Sequence, residues 1–221
     1  MDVILFEFFN IEVMRKVLPL ILSGLLETII LCIILVPLGL LGGFGTMLLA
    51  TSTHRWVRWP TMVLIDFFRS FPPLVLLIFI YSGLPFAGLK LSPLMAICVA
   101  FLLNSSSYYG EIYRAGVESV PRGQTEAARS TGLTAWQAML YVTLPQALRN
   151  VLPDLLSNTV ELIKLTTLAS VISAPELLHS ANLARSLTYN TSPIVLAALI
   201  YLVLLWPVVR LIGRLEHKLG H

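Results

Sequence analysis

The residues with chemistry to offer are ionisable groups set inside apolar runs: Asp66, Arg69, Glu111, Glu161 and Lys164. A charge at the bilayer centre costs about 2.5–3.5 kcal/mol on insertion scales, so each needs a partner, a wet cavity or a function. Spacing offers partners. Asp66 and Arg69 are three apart and can pair on one helix face, as can Glu161 and Lys164, and Glu111 can pair with Arg114. The alternative to neutralisation is solvation. Asp154, Asn158, Glu161 and Leu165 share one stripe at helical spacing, and a polar stripe in a span faces a water-filled path rather than lipid. We read the third and fourth apolar spans as lining such a path, with Asn104, Glu111, Glu161 and Lys164 near a passing solute. Bond-breaking chemistry has no comparable candidate. No GxxxxGK[ST] phosphate loop is present, His54, His179, His217 and His221 are scattered over connecting segments, and Ser105, Ser106 and Ser107 have no histidine beside them. Neither an enzyme, a metal site nor a cofactor held by this chain is expected.

A second candidate site is Gly123 to Pro145, GQTEAARSTGLTAWQAMLYVTLP, a polar and small-residue island in an apolar chain. Arg122, Glu126 and Arg129 carry charge there, while Ala127, Ala128 and Gly132 are small. Thr131-Gly132 reads as a helix stop with Gly132 in the left-handed position, and a second short helix is expected from Thr134 to about Leu144, closed by Pro145. Small side chains on a helical surface let another backbone approach closely. The island therefore reads either as a docking knob for a partner protein or as a loop that packs on its own bundle.

The elements that must hold these residues are membrane helices. The 221 residues are 57% hydrophobic and 12% charged, with mean hydropathy +0.83. That is half the charge of a typical soluble domain, ~25%, and it excludes a separate soluble catalytic domain. At ~20 apolar residues per span, five spans fit: about Leu18–Ala50, Thr61–Ser82, Pro93–Val117, Leu152–Ala174 and Pro193–Leu211. Residues 1–17 alternate apolar and charged groups and read as a short interfacial helix. Residues 18–214 form the transmembrane domain, with the island at 122–145, and 215–221 form a tail. Pro37, Gly39, Gly42, Gly43 and Gly45 permit kinks and close packing in the first span. A short helix is expected after Ala174, with Pro175 early and Glu176 in its first turn. Cys32 and Cys98 sit in apolar runs and read as buried hydrophobes. The N-terminus has no basic region of the kind a cleaved signal peptide carries.

Basic residues orient the chain. Arg55, Arg58, Arg114, Arg122, Arg129, Arg149, Arg210, Arg214 and Lys218 fall in one set of loops, against Arg15, Lys16, Lys90 and Arg185 in the other. The positive-inside rule puts the island and the C-terminus in the cytoplasm and the N-terminus outside. A net charge of +3 distributed in this way is membrane topology and not a nucleic-acid footprint.

Glu126-Ala127-Ala128, three residues, Gly132, nine residues, Val142, one residue and Leu144-Pro145 resemble the EAA motif of ABC importer permeases, with Val142 where Ile is usual. Other stretches resemble the polar amino acid uptake group of that class. They are Gly24-Leu25-Leu26-Glu27-Thr28, the Arg69, Pro72 and Pro73 of an FRGTPP element from which Ser70 and Phe71 depart, Tyr81 to Pro85, and Gln146 to Arg149. Tyr108, Glu111, Ile112, Arg114, Ser119, Pro121, Gly123 and Gln124 match a further element, in which Ser107 and Ala115 replace the usual Ala and Gly. The resemblance implies an all-α polytopic membrane protein with a five-helix core. It implies that Gly123, Glu126, Ala127, Ala128 and Gly132 form a cytoplasmic coupling helix gripped by an ATPase subunit. It further implies two ATPase subunits holding ATP and magnesium, a second permease subunit, identical or homologous, an extracytoplasmic solute-binding protein, and residence in the bacterial cytoplasmic membrane among its lipids. The substrate it implies is a polar amino acid. A zwitterion suits a path lined by both signs of charge, with Arg69 beside Asn104, Glu111, Glu161 and Lys164. Leu165 stands where the group often has Asp, which argues against a cationic substrate or places part of the site in another chain. An importer of an opine or compatible solute, an ion-coupled carrier and a membrane scaffold that recruits an ATPase remain alternatives. The chain has no internal repeat and no matched broken helices, which argues against most secondary-carrier folds.

Overall fold

The computed structural model describes residues 2–219, and the side chains of 3–215. Every regular element among them is helical. A short helix, α1 (Asp2–Phe8), precedes the 40-residue α2 (Ile11–Ala50). The expected join at 17/18 is not a helix boundary. The break falls at Phe9-Asn10, where Asn10 Oδ1 accepts from the Val13 N–H at 3.1 Å and so caps α2 seven residues earlier than its apolar run suggests. Next comes α3 (Arg55–Ser70), then Phe71 and Pro72 in extended conformation and α4 (Pro73–Ile78), which runs on through a π turn and a 3₁₀ turn to Ala87. The expected second span is thus two helices. Phe71 and Pro72 each precede a proline, which drives both out of the α region.

Helix α5 covers Pro93–Ser119. The island holds α6 (Arg122–Ser130) and α7 (Ala135–Ala138), and a π segment, Met139–Thr143, leads without interruption into α8 (Leu144–Leu165). Pro145 therefore does not end a helix, contrary to expectation. Proline cannot donate to the carbonyl four residues back, and the widened π turn accommodates that loss. Gln146 Nε2 donates to the Val142 carbonyl at 2.9 Å, which satisfies one acceptor there. A 3₁₀ stretch, Thr166–Ile172, then α9 (Leu177–Thr188) and α10 (Ser192–Leu219) complete the order. The expected tail at 215–221 has helical backbone as far as Leu219, and its side chains from 216 lie outside the described residues.

Among the described residues three helices are long and apolar enough to cross a membrane, within Val3–Ala50, Ala135–Ile172 and Ser192–Leu215. The count is four if Arg55–Ser70 and Pro73–Ala87 make one broken span. Helix α5 has the length, at 27 residues, but its second half is the polar run NSSSYYGEIYRAGVES.

The chain divides into two compact units. One comprises Met1–Pro37, Pro72–Phe101 and Val160–Arg210. Its core joins Val17 and Ile21 of α2 to Leu177, Ala181 and Ala184 of α9 and Ala197 of α10. Glu176 is fully buried there. It caps α9 from outside the first turn, which corrects the expected position: its carboxylate accepts from the Leu178 and His179 N–H groups, and the Tyr201 hydroxyl donates to it at 3.3 Å. Burial pushes this carboxyl above the usual range, against the lowering effect of those donors. The other unit comprises Leu38–Phe71, Leu102–Thr159 and Leu211–His221. In it the glycine run of α2 lies directly on α5, and Thr46 Oγ1 donates to the Ser106 carbonyl at 2.9 Å. Ser105 and Ser106 lie in that contact and Ser107 is also buried, and the Ser106 and Ser107 hydroxyls return to α5 carbonyls one turn back.

Candidate functional site: an exposed helical hairpin and a charged ladder

The island folds as a hairpin held from within. Helix α6 stops at Thr131 because Gly132 takes φ +90°, a conformation that side chains rarely adopt. The Thr131 and Gly132 N–H groups return to the Ala127 and Arg129 carbonyls, and Arg129 Nη1 donates to the Leu133 carbonyl at 3.0 Å. Helix α7 starts with a capping box: Gln137 N–H donates to Thr134 Oγ1, and Thr134 N–H donates to Gln137 Oε1 at 2.9 Å. The Thr125 and Thr143 hydroxyls, 3.2 Å apart, tie α6 to the π segment. Ala128 and Ala138 face inward, whereas Gly123, Glu126, Ala127 and Gly132 are exposed. Glu118, Arg122, Glu126 and Met139 border an open cleft of about 700 Å³ at the base of the hairpin.

Trp136 and Tyr141, which sequence reasoning did not single out, are 58% and 66% exposed on this hairpin. Their signal was available, since large aromatics on a short polar segment outside the spans commonly mark an interface. The hairpin thus offers small residues for close approach, flanking charges for orientation and two aromatics for contact area.

The second group is built around the break after α3. Ending a helix at Ser70 leaves its last carbonyls without intrahelical donors. Helix α5 supplies them: Asn104 Nδ2 donates to the Phe68 carbonyl and the Tyr108 hydroxyl to the Arg69 carbonyl, both at 3.1 Å. Asn104 is buried, so its role here is to hold the broken end. The Arg69 guanidinium lies 5.6 Å from the Tyr108 ring centre and 3.9 Å from Glu111. Glu111 is gripped by both Arg114 Nε and Nη2, and Arg114 also pairs with Glu118. The expected Glu111–Arg114 pair therefore forms. The expected Asp66–Arg69 pair does not, because Arg69 turns toward Glu111, and Asp66 stays exposed with no ion partner among the described residues. The four charges Arg69, Glu111, Arg114 and Glu118 sum to zero and form a ladder along α5.

In the other unit Lys164 Nζ contacts Glu161 Oε1 one turn away, as the spacing suggests, and both side chains stay about half exposed or more. Asp154 and Glu161 are exposed and Asn158 is half-buried, so the α8 stripe is open. Of the solute-path candidates, Arg69, Asn104 and Glu111 thus form one group, and Glu161 with Lys164 forms another.

Residues 36–221 match the model of binding-protein-dependent transport system inner membrane components. The chain belongs to that family. It is 37% identical over 195 residues to the probable amino-acid ABC transporter permease protein YckA of Bacillus subtilis, covering 87% of this chain and 86% of the relative. It is 31% identical over 211 residues to the probable glutamine ABC transporter permease protein GlnM of the same organism, covering 95% and 98%. Among solved structures, one described as an amino acid ABC transporter with histidines superposes with TM-score 0.85 at 36% identity, over 93% of this chain and 96% of that one. An inward-facing methionine transporter, MetNI, shares the fold at TM-score 0.75 and 18% identity, over 91% and 97%. The resemblance read from the EAA-type spacing is therefore confirmed at family level. The chain is an ABC permease, a multi-pass membrane transport subunit and not itself an enzyme.

Proposed function

We propose that this permease carries polar amino acids inward across the cytoplasmic membrane, driven by ATP. Two ATPase subunits hold ATP and magnesium, an extracytoplasmic solute-binding protein delivers the substrate, and a second permease subunit, identical or homologous, completes the path. The N-terminus lies outside and the C-terminus in the cytoplasm, with five spans between them: α2, the broken α3–α4 pair, α5, α8 and α10. The observation that carries this reading is the hairpin, with exposed Glu126 and Ala127 and a left-handed Gly132. Closure of the ATPase dimer pushes on Gly123 to Gly132, and the helices rock to alternate access. The exposed part of Arg69 offers a guanidinium to the substrate carboxylate, and Glu161 and Lys164 offer both signs of charge. Leu165 leaves that stripe one carboxylate short, which favours a neutral or acidic amino acid such as glutamine over arginine.

The test is uptake into proteoliposomes holding this chain with its ATPase and binding protein. ATP-dependent glutamine uptake is expected. Gly132→Trp should cut uptake at least tenfold while ATP hydrolysis continues, because a side chain at φ +90° costs roughly 1–2 kcal/mol and reshapes the tip of the hairpin. Full coupling in that variant would contradict the docking role, and uptake without any ATPase would favour an ion-coupled carrier.

A further inference from the structure

We infer that the first two turns of α3 are a binding site for the headgroup of an anionic phospholipid. Among the described residues Arg55, Trp56, Arg58, Trp59 and Pro60 line an open cleft of about 630 Å³. Trp56 is 93% and Trp59 71% exposed, a placement that suits an indole at headgroup depth, where its body is apolar and its N–H stays wet. The two arginines are three apart, and the two tryptophans are as well, so the cations share one side of the start of the helix and the rings share the adjoining side. The first turn of α3 carries no acidic residue to oppose them.

Further along α3 the exposed apolar side chains are Met62, Val63, Leu64 and Phe67, a surface for acyl chains that the exposed Asp66 interrupts. One helix thus offers both halves of a lipid a matching environment. A guanidinium binds a phosphodiester through paired N–H donors. A zwitterionic headgroup would bring a quaternary or primary ammonium against two like charges, whereas an anionic headgroup without an amine, such as phosphatidylglycerol, brings none. Selectivity for anionic lipid follows, on the order of fivefold per arginine. This site does not depend on the solute that the permease carries.

The probe is the full chain in lipid nanodiscs, with Trp136→Phe and Trp206→Phe so that only Trp56 and Trp59 fluoresce. At equal mole fraction, brominated phosphatidylglycerol is expected to quench them more strongly than brominated phosphatidylcholine. Arg55→Gln with Arg58→Gln should erase the difference, and Arg55→Lys with Arg58→Lys should keep most of it. Equal quenching by the two lipids in the arginine form overturns the site, as does a preference that survives the glutamine pair. Displacement by excess inorganic phosphate assigns the cleft to a free anion and overturns it too. Protection of both tryptophans from either lipid means that a protein surface covers the cleft, with the same consequence.

Discussion

A Cβ on Gly43 would lie 2.3 Å from Tyr109 Cβ and 2.9 Å from the Gly110 nitrogen, so α2 and α5 meet there backbone to backbone. Gly43→Val should lower the thermal midpoint of the detergent-solubilised chain by an overpacking cost of roughly 1–3 kcal/mol. Gly45→Ala, with nothing within 4 Å of the added carbon, should leave it unchanged or slightly higher, and equal losses at both positions would refute the close-approach account. The charged ladder makes a different residue-scale prediction. Removing the Glu111 charge leaves Arg69 and Arg114 facing each other without their shared anion. Glu111→Gln should reduce uptake at least tenfold while the protein still inserts into the membrane. Normal uptake with Glu111→Gln and with Lys164→Ala would remove both groups from the substrate path.

At the scale of elements, the hairpin and the broken α3 each depend on a few identifiable hydrogen bonds. Thr134→Ala removes one arm of the capping box, typically about 1 kcal/mol of helix stability. Amide exchange of residues 135–138 should then speed up about fivefold with exchange in α5 unaltered, and uniform acceleration would mean that the hairpin has no local stability of its own. Proline stands at two places around these sites, with opposite outcomes. Phe71-Pro72-Pro73 stops a helix because two consecutive residues precede a proline. Pro145 is absorbed, because it falls in the opening turn of α8 just after a π segment that accommodates its missing N–H. Composition alone does not separate the two cases.

For the whole molecule, orientation is the property on which the coupling scheme turns. Glu126→Cys should react with a membrane-impermeant maleimide only when the cytoplasmic face is accessible, in inverted vesicles and not in intact cells. Cys32 and Cys98, partly buried in helical segments, provide the background to subtract. Labelling from outside the cell would reverse the topology and end the ATPase-docking account.

The sequence by itself determined the class, the family and the turn of the hairpin, but not where the hairpin's second arm ends. Hydropathy and charge placement are local sums that no tertiary contact revises, and the turn at Thr131-Gly132 follows from one glycine's backbone freedom. The pairs Glu111–Arg114 and Glu161–Lys164 were legible for the same reason, since helical periodicity alone brings them together. Only the tertiary structure decided that Arg69 leaves Asp66 for Glu111, that Asn104 and Tyr108 serve the broken end of α3, and that Glu176 is buried as a cap. Each of those turns on which of several available partners another helix brings within hydrogen-bonding reach, and spacing along a single helix carries no information about that distance.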